Sequence, residues 1–165
     1  MKNIQQTEVK MKNIVLLRID DRLLHGQVVV SWIPYLNVNE VLIIDNEYSE
    51  DEFMREIMKS SAPVNLSVHV LSVNDAAAFL TNKDEGKRIL ILARSVESVK
   101  ELMESVKINT VNVGGLGAGP KRKRYYNSIH LSDDELNILK EFAKNNIKVE
   151  VKMLPNDKPI FIDGK

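Results

Sequence analysis

One short segment, Arg18–Val28, brings together several side chains that can carry out chemistry. It contains two carboxylates, Asp20 and Asp21, two guanidiniums, Arg18 and Arg22, and an imidazole at His25. A neutral imidazole is a nucleophile near pH 7. Guanidinium groups, and amide N–H groups at the start of a helix, bind the anion that such a nucleophile receives. This combination suits a histidine that carries a phosphoryl group.

The residues around His25 have candidate supporting roles. Arg22 is the candidate phosphate partner, and the backbone amides of Gly26 and Gln27 lie where a helix would begin. One of the two aspartates either accepts the second ring N–H of the histidine or pairs with the arginine, and the sequence leaves this open. Adjacent carboxylates also suggest a metal site, but no further cluster of ligands supports it. We therefore predict no metal.

Composition limits the class of protein. Among the 165 residues, Lys plus Arg equal Asp plus Glu at 23 each, so no net charge draws the molecule to nucleic acid or membrane. A hydrophobic share of 44% and a charged share of 28% are typical of a globular domain. Cysteine is absent, which excludes disulfides, and the apolar runs are too short to span a bilayer. We expect a cytoplasmic protein.

The N-terminus differs in pattern from the rest of the chain. The opening Met-Lys-Asn-Ile recurs at Met11–Ile14, directly before the first strand-like run. The polar stretch between the two copies lacks the pattern of an element that faces a core. We predict a flexible N-terminal extension at residues 1–12 and a single domain at residues 13–165.

Short β-rich runs alternate with helical patterns along the chain. The strand candidates are Ile14–Leu17, Val41–Asp45, Leu66–Leu71, Ile89–Ala93, Thr110–Val113, Ser128–Leu131 and Val149–Met153. Several are apolar at consecutive positions, as expected of strands covered on both faces. The pattern predicts an α/β fold: an open, mostly parallel sheet of about seven strands with helices on both faces.

Capping signals mark the helices between these strands. Ser49 with Glu52, and Ser132 with Glu135, have the spacing of capping boxes. The segment Val28–Leu36 opens with valines that favour a strand, yet its later apolar residues continue at helical spacing. Because parallel strands need a crossover connection, we predict a helix there.

The predicted sheet places the candidate site at one edge. Ligands of open parallel sheets bind beyond the carboxyl ends of the strands, so we expect His25 on an exposed loop between the first strand and its helix. The segment Gly114–Arg124 also follows a strand of this sheet, and we predict that it lies beside that loop. At least one residue of Lys121–Arg124 would then reach a phosphate on His25, directly or after loop movement, with Lys121 and Arg122 as candidates.

The segment Arg18–Val28 resembles the active-site signature of phosphotransferase-system IIB components of the mannose/fructose/sorbose class, R-[IV]-D-[DE]-R-L-[IL]-H-G-Q-V. Val111–Gly115 resembles the second, glycine-bearing segment of that family. Lys148–Pro159 resembles its C-terminal strand and tail. The resemblance covers essentially the whole domain.

The resemblance implies a phosphoryl carrier. In this family, the histidine after the first strand accepts a phosphoryl group from a phosphohistidine of the IIA domain. It passes the group to a sugar, of mannose, fructose or sorbose type, held by the membrane subunits IIC and IID. His25 would be the phosphorylated residue, and its supporting residues would be Asp20, Asp21, Arg22, Gly26 and Gln27. The resemblance implies neither a metal nor a soluble cofactor. A peripheral association with the permease is implied, and a homodimer is left open.

The chain departs from the family pattern after the glycine pair. Family members commonly have methionine next and a basic residue about three places later, whereas Leu116 and Gly119 stand here. The contact made by that basic residue is either supplied from Lys121–Arg124 or missing, and the sequence leaves both open.

Other features have simpler interpretations. His69 and His130 fall within strand patterns and are predicted to be structural. The glycines of Gly114–Gly119 lack the spacing of a dinucleotide-binding fingerprint. Lys121–Arg124, followed by two tyrosines, mixes charge and aromatic rings as single-strand binders do. A nucleic-acid-binding or regulatory module is thus the alternative function, although such runs are more often solvated loops and we predict no nucleic-acid partner.

Overall fold

The computed structural model of the protein describes residues 13–81 and 86–165. The predicted N-terminal extension, residues 1–12, lies outside the described residues. The elements in chain order are β1 (Asn13–Asp20), a π-helical turn (Val28–Trp32) that continues into α1 (Ile33–Leu36), β2 (Glu40–Ile44), α2 (Glu52–Ser60), β3 (Ser67–Leu71), α3 (Val73–Thr81), β4 (Arg88–Ala93), α4 (Val96–Met103), β5 (Thr110–Gly115), β6 (Lys123–Tyr126), β7 (Ile129–Leu131), α5 (Asp133–Lys144), β8 (Lys148–Val151) and β9 (Ile160–Ile162).

The main sheet has seven strands in the order β3-β2-β4-β1-β5-β8-β9. The first six are parallel to one another, and β9 pairs antiparallel with β8 at the edge. The predicted open and mostly parallel sheet is therefore confirmed. Because β1 lies at the centre, its carboxyl end is flanked by the loops that follow β4 and β5.

The membership of the sheet differs from the sequence prediction at one strand. The pattern at Ser128–Leu131 predicts a strand of the main sheet, but Ile129–Leu131 pairs with Lys123–Tyr126 in a separate antiparallel hairpin. Ile160–Ile162 completes the main sheet instead. All four residues of β6 are exposed, and β9 has only three residues, so neither strand has an apolar pattern long enough to mark it.

Helices cover both faces of the sheet, as predicted. Strand β4 shows why. Its residues Ile89 and Ile91 belong to the apolar cluster under α3, α4 and α5. Leu90 and Leu92 belong to the cluster on the opposite face, under the π-helical turn and α2. Alternate residues of a strand point to opposite faces, so a consecutive apolar run fills both layers. Among the helices of the described residues, none has the length and apolar character needed to cross a membrane.

The helix starts agree with the sequence signals in part. Ser132 and Glu135 form the predicted capping box of α5. Helix α2 begins later than its signal, because Asp51 rather than Ser49 accepts the backbone N–H of Met54. A carboxylate at this position also favours the positive end of the helix dipole.

Candidate active site

Strand β1 carries two charged residues into the interior of the molecule. Arg18 and Asp20 are both fully buried at 0% exposure, two residues apart and therefore on one face of the sheet. Leu17 and Ile19 point to the apolar cluster on the other face. Charged side chains are almost never fully buried unless they are paired, so their partners define the site.

Asp20 holds the candidate histidine. The Nε2 atom of His25 lies 2.9 Å from Oδ2 of Asp20. A tight turn brings the histidine back over the end of β1, with the N–H of Leu23 donating to the carbonyl of Asp20 at 2.9 Å and Leu23 in the left-handed region at φ 56°. The position after the first strand is as predicted, but the imidazole is only 17% exposed, less than the sequence suggested.

The contact with Asp20 assigns the ring proton of His25. An ionised carboxylate only accepts hydrogen bonds, so a neutral imidazole must carry its proton on Nε2 and keep its lone pair on Nδ1. No hydrogen bond to Nδ1 is made by any residue of the described chain. Nδ1 is therefore the ring nitrogen with a free lone pair.

Arg22 lies at the rim of this site. Its backbone N–H donates to Oδ1 of Asp20 at 3.1 Å, and its side-chain Nε is 3.5 Å from the same oxygen. The side chain is 52% exposed. Asp20 thus fills both roles that the sequence offered to the two aspartates: it orients the imidazole and pairs with Arg22.

Asp21 has a different task, because it joins the histidine loop to the segment after β5. Its Oδ2 accepts the N–H of Gly117 at 2.7 Å, and its own N–H donates to the carbonyl of Gly115 at 2.9 Å. Nη1 of Arg122 lies 3.9 Å from the same Oδ2. The glycine-rich and basic segment therefore lies beside the histidine loop, where the sequence predicted it.

Residues at the start of α5 hold Arg122 in place. The Nη2 atom of Arg122 donates to Oε1 of Glu135 at 2.7 Å, and its Nη1 atom donates to the carbonyl of Gly117 at 3.0 Å. The hydrogen bonds to Glu135 raise the pKa of Arg122. Burial alone would raise the pKa of Glu135, but the bonds it accepts from Arg122 and from Ser132 outweigh burial and leave that pKa below its ordinary value. Lys121 is exposed, and within the described chain no hydrogen bond or ion pair joins it to residues 20–27.

Gly26 and Gln27 open the helix that follows the histidine. The N–H of Val29 donates to the carbonyl of His25 at 3.0 Å, so the amides of the intervening residues belong to a first turn, where no intrahelical acceptor exists. Oε1 of Gln27 is buried without a hydrogen-bond partner among the described residues. The Val28–Leu36 segment is helical as predicted, and its first turn is a π turn, a feature frequent at functional sites.

Arg18 is the site residue to which the sequence analysis gave no role. Its Nη1 donates to Oδ1 of Asn112 at 2.7 Å, and its Nη2 donates to Oδ2 of Asp20 at 3.4 Å. The carbonyls of Lys152 and Met153 accept further bonds at 2.9 and 3.1 Å. Burial lowers the pKa of Arg18, against the opposing charge of Asp20. The available signal was an arginine that directly follows four apolar residues of the strand.

The glycine pair at the end of β5 makes room for these buried charges. A Cβ atom on Gly114 would collide with the guanidinium of Arg18, and one on Gly115 would come within 2.9 Å of Oδ1 of Asp20. Both glycines are buried residues of a strand. The strand therefore extends two residues beyond the predicted Thr110–Val113.

The other histidines have partners elsewhere. Nε2 of His69 lies 2.8 Å from Oε1 of Glu40, between β3 and β2. Nδ1 of His130 lies 3.2 Å from the carbonyl of Ser128 in the hairpin. Of the three histidines in the sequence, His25 is the one that lies at the carboxyl end of β1.

Comparison with known proteins places this site in a family. The sequence matches the family described as "PTS system sorbose subfamily IIB component" over residues 14–163. It is 31% identical over 149 residues to the fructose-specific EIIB component of Bacillus subtilis (strain 168), covering 89% of this chain and 91% of that protein. It is 30% identical over 146 residues to the mannose-specific EIIAB component of Escherichia coli (strain K12), covering 87% of this chain but 45% of that longer protein.

A solved structure has the same architecture. The crystal structure of manxB from Thermoanaerobacter tengcongensis superposes with a TM-score of 0.84 at 34% identity, over 92% of this chain and 93% of that one. The family match includes β1, the histidine loop and the β5 glycines. The chain therefore belongs to the sorbose subfamily of IIB components of the sugar phosphotransferase system (PTS).

Proposed function

We propose that His25 accepts a phosphoryl group on Nδ1 from the phosphohistidine of a IIA domain and passes it to a sugar. The sugar, of mannose, fructose or sorbose type, would be held by membrane IIC and IID subunits with which this protein associates peripherally. The single observation that carries the proposal is the 2.9 Å contact between Nε2 of His25 and the buried carboxylate of Asp20. It orients the ring and leaves the other nitrogen as the free base.

The proposed reaction consists of two transfers at one nitrogen. In the first, the Nδ1 lone pair of His25 attacks the phosphorus of the donor phosphohistidine, the donor's P–N bond breaks, and the donor imidazole takes up a proton from solvent. In the second, a sugar hydroxyl attacks the same phosphorus and its proton passes to solvent. The P–N bond to His25 breaks, and its electron pair returns to Nδ1. Such transfers depend mainly on positioning and on charge stabilisation of the phosphoryl oxygens.

Two groups of the site suit the charge that arrives on His25. Arg22 is half exposed, so its guanidinium has free N–H groups that can turn toward a phosphoryl oxygen. Asp20 keeps the Nε2 proton in place and stabilises positive charge on the ring while Nδ1 is substituted. Gly26 and Gln27 are proposed as supporting amides, and Arg122 as a neighbour that acts through Asp21.

The nature of the phosphoryl donor follows from the family. The name of the mannose-specific EIIAB relative joins an A and a B component in one protein, of which this chain matches 45%. A separate or fused A component is therefore the proposed donor here. The nucleic-acid alternative has less support, because Arg122 is bonded to Glu135 and Lys123 lies 3.6 Å from Asp133.

The test is phosphoryl transfer from a phosphorylated IIA domain of the same class. His25→Ala should abolish labelling, while His69→Ala and His130→Ala should accept phosphate at the wild-type rate. The 31P spectrum of the labelled wild-type protein, recorded under alkaline conditions that preserve phosphoramidates, should show a phosphoryl group on Nδ1. Labelling of the His25→Ala variant, or a phosphoryl group on Nε2, contradicts the proposal.

A further inference from the structure

A row of polar side chains crosses the main sheet beneath the histidine. Arg18 on β1 is in register with Asn112 on β5, which is in register with Glu150 on β8. Side chains in register on neighbouring strands share a face of the sheet. All three are buried, within a sheet whose strands are otherwise mainly apolar. Buried polar groups are costly unless each is satisfied, so a row of this kind calls for an explanation.

The hydrogen bonds of the row can run in only one direction. Nη1 of Arg18 donates to Oδ1 of Asn112 at 2.7 Å, and Nδ2 of Asn112 donates to Oε1 of Glu150 at 3.3 Å. A guanidinium has donors only and a carboxylate has acceptors only. If the carboxamide were rotated by half a turn, an NH2 group would face the guanidinium and an oxygen would face the carboxylate. Glu150 therefore fixes the orientation in which Asn112 accepts from Arg18.

At its other end the row meets the candidate active site. Oδ2 of Asp20 accepts from Nη2 of Arg18 at 3.4 Å and from Nε2 of His25 at 2.9 Å. The guanidinium is planar, so holding its Nη1 on Asn112 also sets the direction of its Nη2 toward Asp20. The orientation of the Asp20 carboxylate is thus tied to a side chain two strands away.

We propose that Asn112 and Glu150 are positioning residues for phosphoryl transfer at His25, an inference that rests on the proposed function. They act through Arg18 and Asp20, and they keep the ring proton on Nε2 so that Nδ1 remains the nucleophile. Without them, Arg18 keeps only its bonds to Asp20 and to the carbonyls of Lys152 and Met153. The carboxylate is then less firmly directed, and the imidazole divides between its two neutral tautomers. Only the tautomer with a lone pair on Nδ1 accepts the phosphoryl group there.

The first test replaces Asn112 with leucine, which has a similar volume and no polar atoms. Histidine-15N-labelled protein is examined by long-range 1H–15N correlation spectra, and single-turnover transfer from phosphorylated IIA is timed. Wild-type His25 should be protonated at Nε2. Asn112→Leu should show both tautomers and transfer about tenfold more slowly, the loss expected for one charge-assisted hydrogen bond.

A pair of substitutions at Glu150 tests the direction of the row. Glu150→Leu removes the acceptor and lets the Asn112 amide rotate, so it should reproduce the mixed tautomers and the slower transfer. Glu150→Gln keeps an oxygen that can accept from Nδ2 of Asn112 and should restore both to near wild-type values. This pair decides the question if the Asn112→Leu variant does not fold.

Two control variants separate positioning from general destabilisation. Lys148→Met removes the ion pair in which Nζ lies 3.8 Å from Oε2 of Glu150, without touching Asn112. Val149→Ala weakens the same strand on its opposite face, within the other apolar cluster. Both should leave the tautomer and the transfer rate unchanged.

The outcomes distinguish this inference from the proposed function. If wild-type protein accepts no phosphate from IIA, the proposed function fails. If it accepts phosphate while folded Asn112→Leu and Glu150→Leu keep the wild-type tautomer and rate, the row is only structural and the inference fails. Protonation of wild-type His25 at Nδ1, or equal slowing in Val149→Ala, also overturns it.

Discussion

At the scale of single residues, the site depends on the several hydrogen bonds that one buried carboxylate, Asp20, accepts. Asp20 accepts hydrogen bonds from the guanidinium of Arg18, the backbone of Arg22 and the imidazole of His25. Three donors on a fully buried carboxylate compensate for the loss of hydration. Removing any of them would leave acceptor capacity unfilled, so the orientation of His25 is linked to that of its neighbours.

Substitution of Arg22 should slow phosphoryl transfer without lowering the stability of the domain. We expect Arg22→Ala to slow phosphoryl transfer from IIA about a hundredfold, the usual effect of removing one donor that stabilises developing negative charge. Its half-exposed side chain contributes little to packing, so the urea midpoint should stay within error of wild type. Stopped-flow or quenched-flow single-turnover assays measure the rate of phosphoryl transfer.

The matched control for Arg22 is Lys100→Ala, which removes one positive charge from an exposed position of α4. It should transfer at the wild-type rate. An equal loss in both variants would mean that overall charge, and not the guanidinium at the site, governs docking of the donor.

At the scale of elements, β5 is shaped by what lies on β1. Its last two residues are glycines because the guanidinium and carboxylate of the neighbouring strand occupy the volume that side chains would take. Arg18 and Asp20 are therefore packed against backbone. At this point the strand provides a close backbone wall for the buried ion pair.

Substitutions at two glycines should show whether lack of space for a side chain, rather than loss of glycine flexibility, determines the cost. Gly114→Ala places a methyl group in the volume that the Arg18 guanidinium occupies. It should destabilise the domain by about 1–3 kcal/mol, the range for overpacking a core. Gly26→Ala has no atom within 4 Å of its added Cβ and should leave the free energy of unfolding nearly unchanged. Urea denaturation measures both, and equal costs would contradict this account.

The capping box of α5 should give the domain a specific dependence on pH. Glu135 has a lowered pKa in the folded protein, so its contribution to stability is complete above its ordinary value of 4.5 and is lost as the pH falls through the folded value. Glu135→Gln should therefore cost about 2 kcal/mol at pH 7, and its deficit relative to wild type should shrink in acid.

Asp133→Asn is the control for that pH dependence. Its ion pair with Lys123 joins two side chains that are each about four-fifths exposed (81% and 78%), and exposed pairs contribute little. Urea titrations at a series of pH values should show almost no deficit for it at any pH. A Glu135→Gln deficit that did not shrink in acid would show that the hydrogen bonds, and not the charge, carry the effect.

The sequence predicted most elements and the central histidine because those signals are local. Consecutive apolar residues marked the buried strands, and the spacing of Ser132 and Glu135 marked the start of α5. The role of Arg18 could not be seen, because its partner Asn112 lies on another strand and only the sheet register brings them together. Strands β6 and β9 were missed for lack of a buried apolar pattern.

At the scale of the whole molecule, the short strand β9 completes the sheet next to the polar row. It pairs antiparallel with β8, and Phe161 is in register with Glu150. Ile162, only 4% exposed, seals the apolar cluster at this edge. An unpaired β8 would present free backbone groups, which invite pairing with other chains.

Truncation of the C-terminus tests this closure. Removal of residues 160–165 should lower the free energy of unfolding by at least about 2 kcal/mol through the loss of Ile162 burial and of ladder hydrogen bonds, and should promote aggregation measurable by light scattering. Removal of residues 163–165 alone should cost much less. Equal effects of the two truncations would rule out a closing role for β9.

The indole of Trp32 gives the molecule a built-in optical reporter. It is the single tryptophan of the chain, its Nε1 donates to the carbonyl of Met153 at 2.9 Å, and the guanidinium carbon of Arg18 lies 5.0 Å from the ring centre. Indole emission responds to nearby charge and to the rigidity of its surroundings. Rearrangement of the buried ion pair should therefore change the fluorescence of one known residue, and this signal would test in real time, without an attached dye, whether the proposed donor reaches the site.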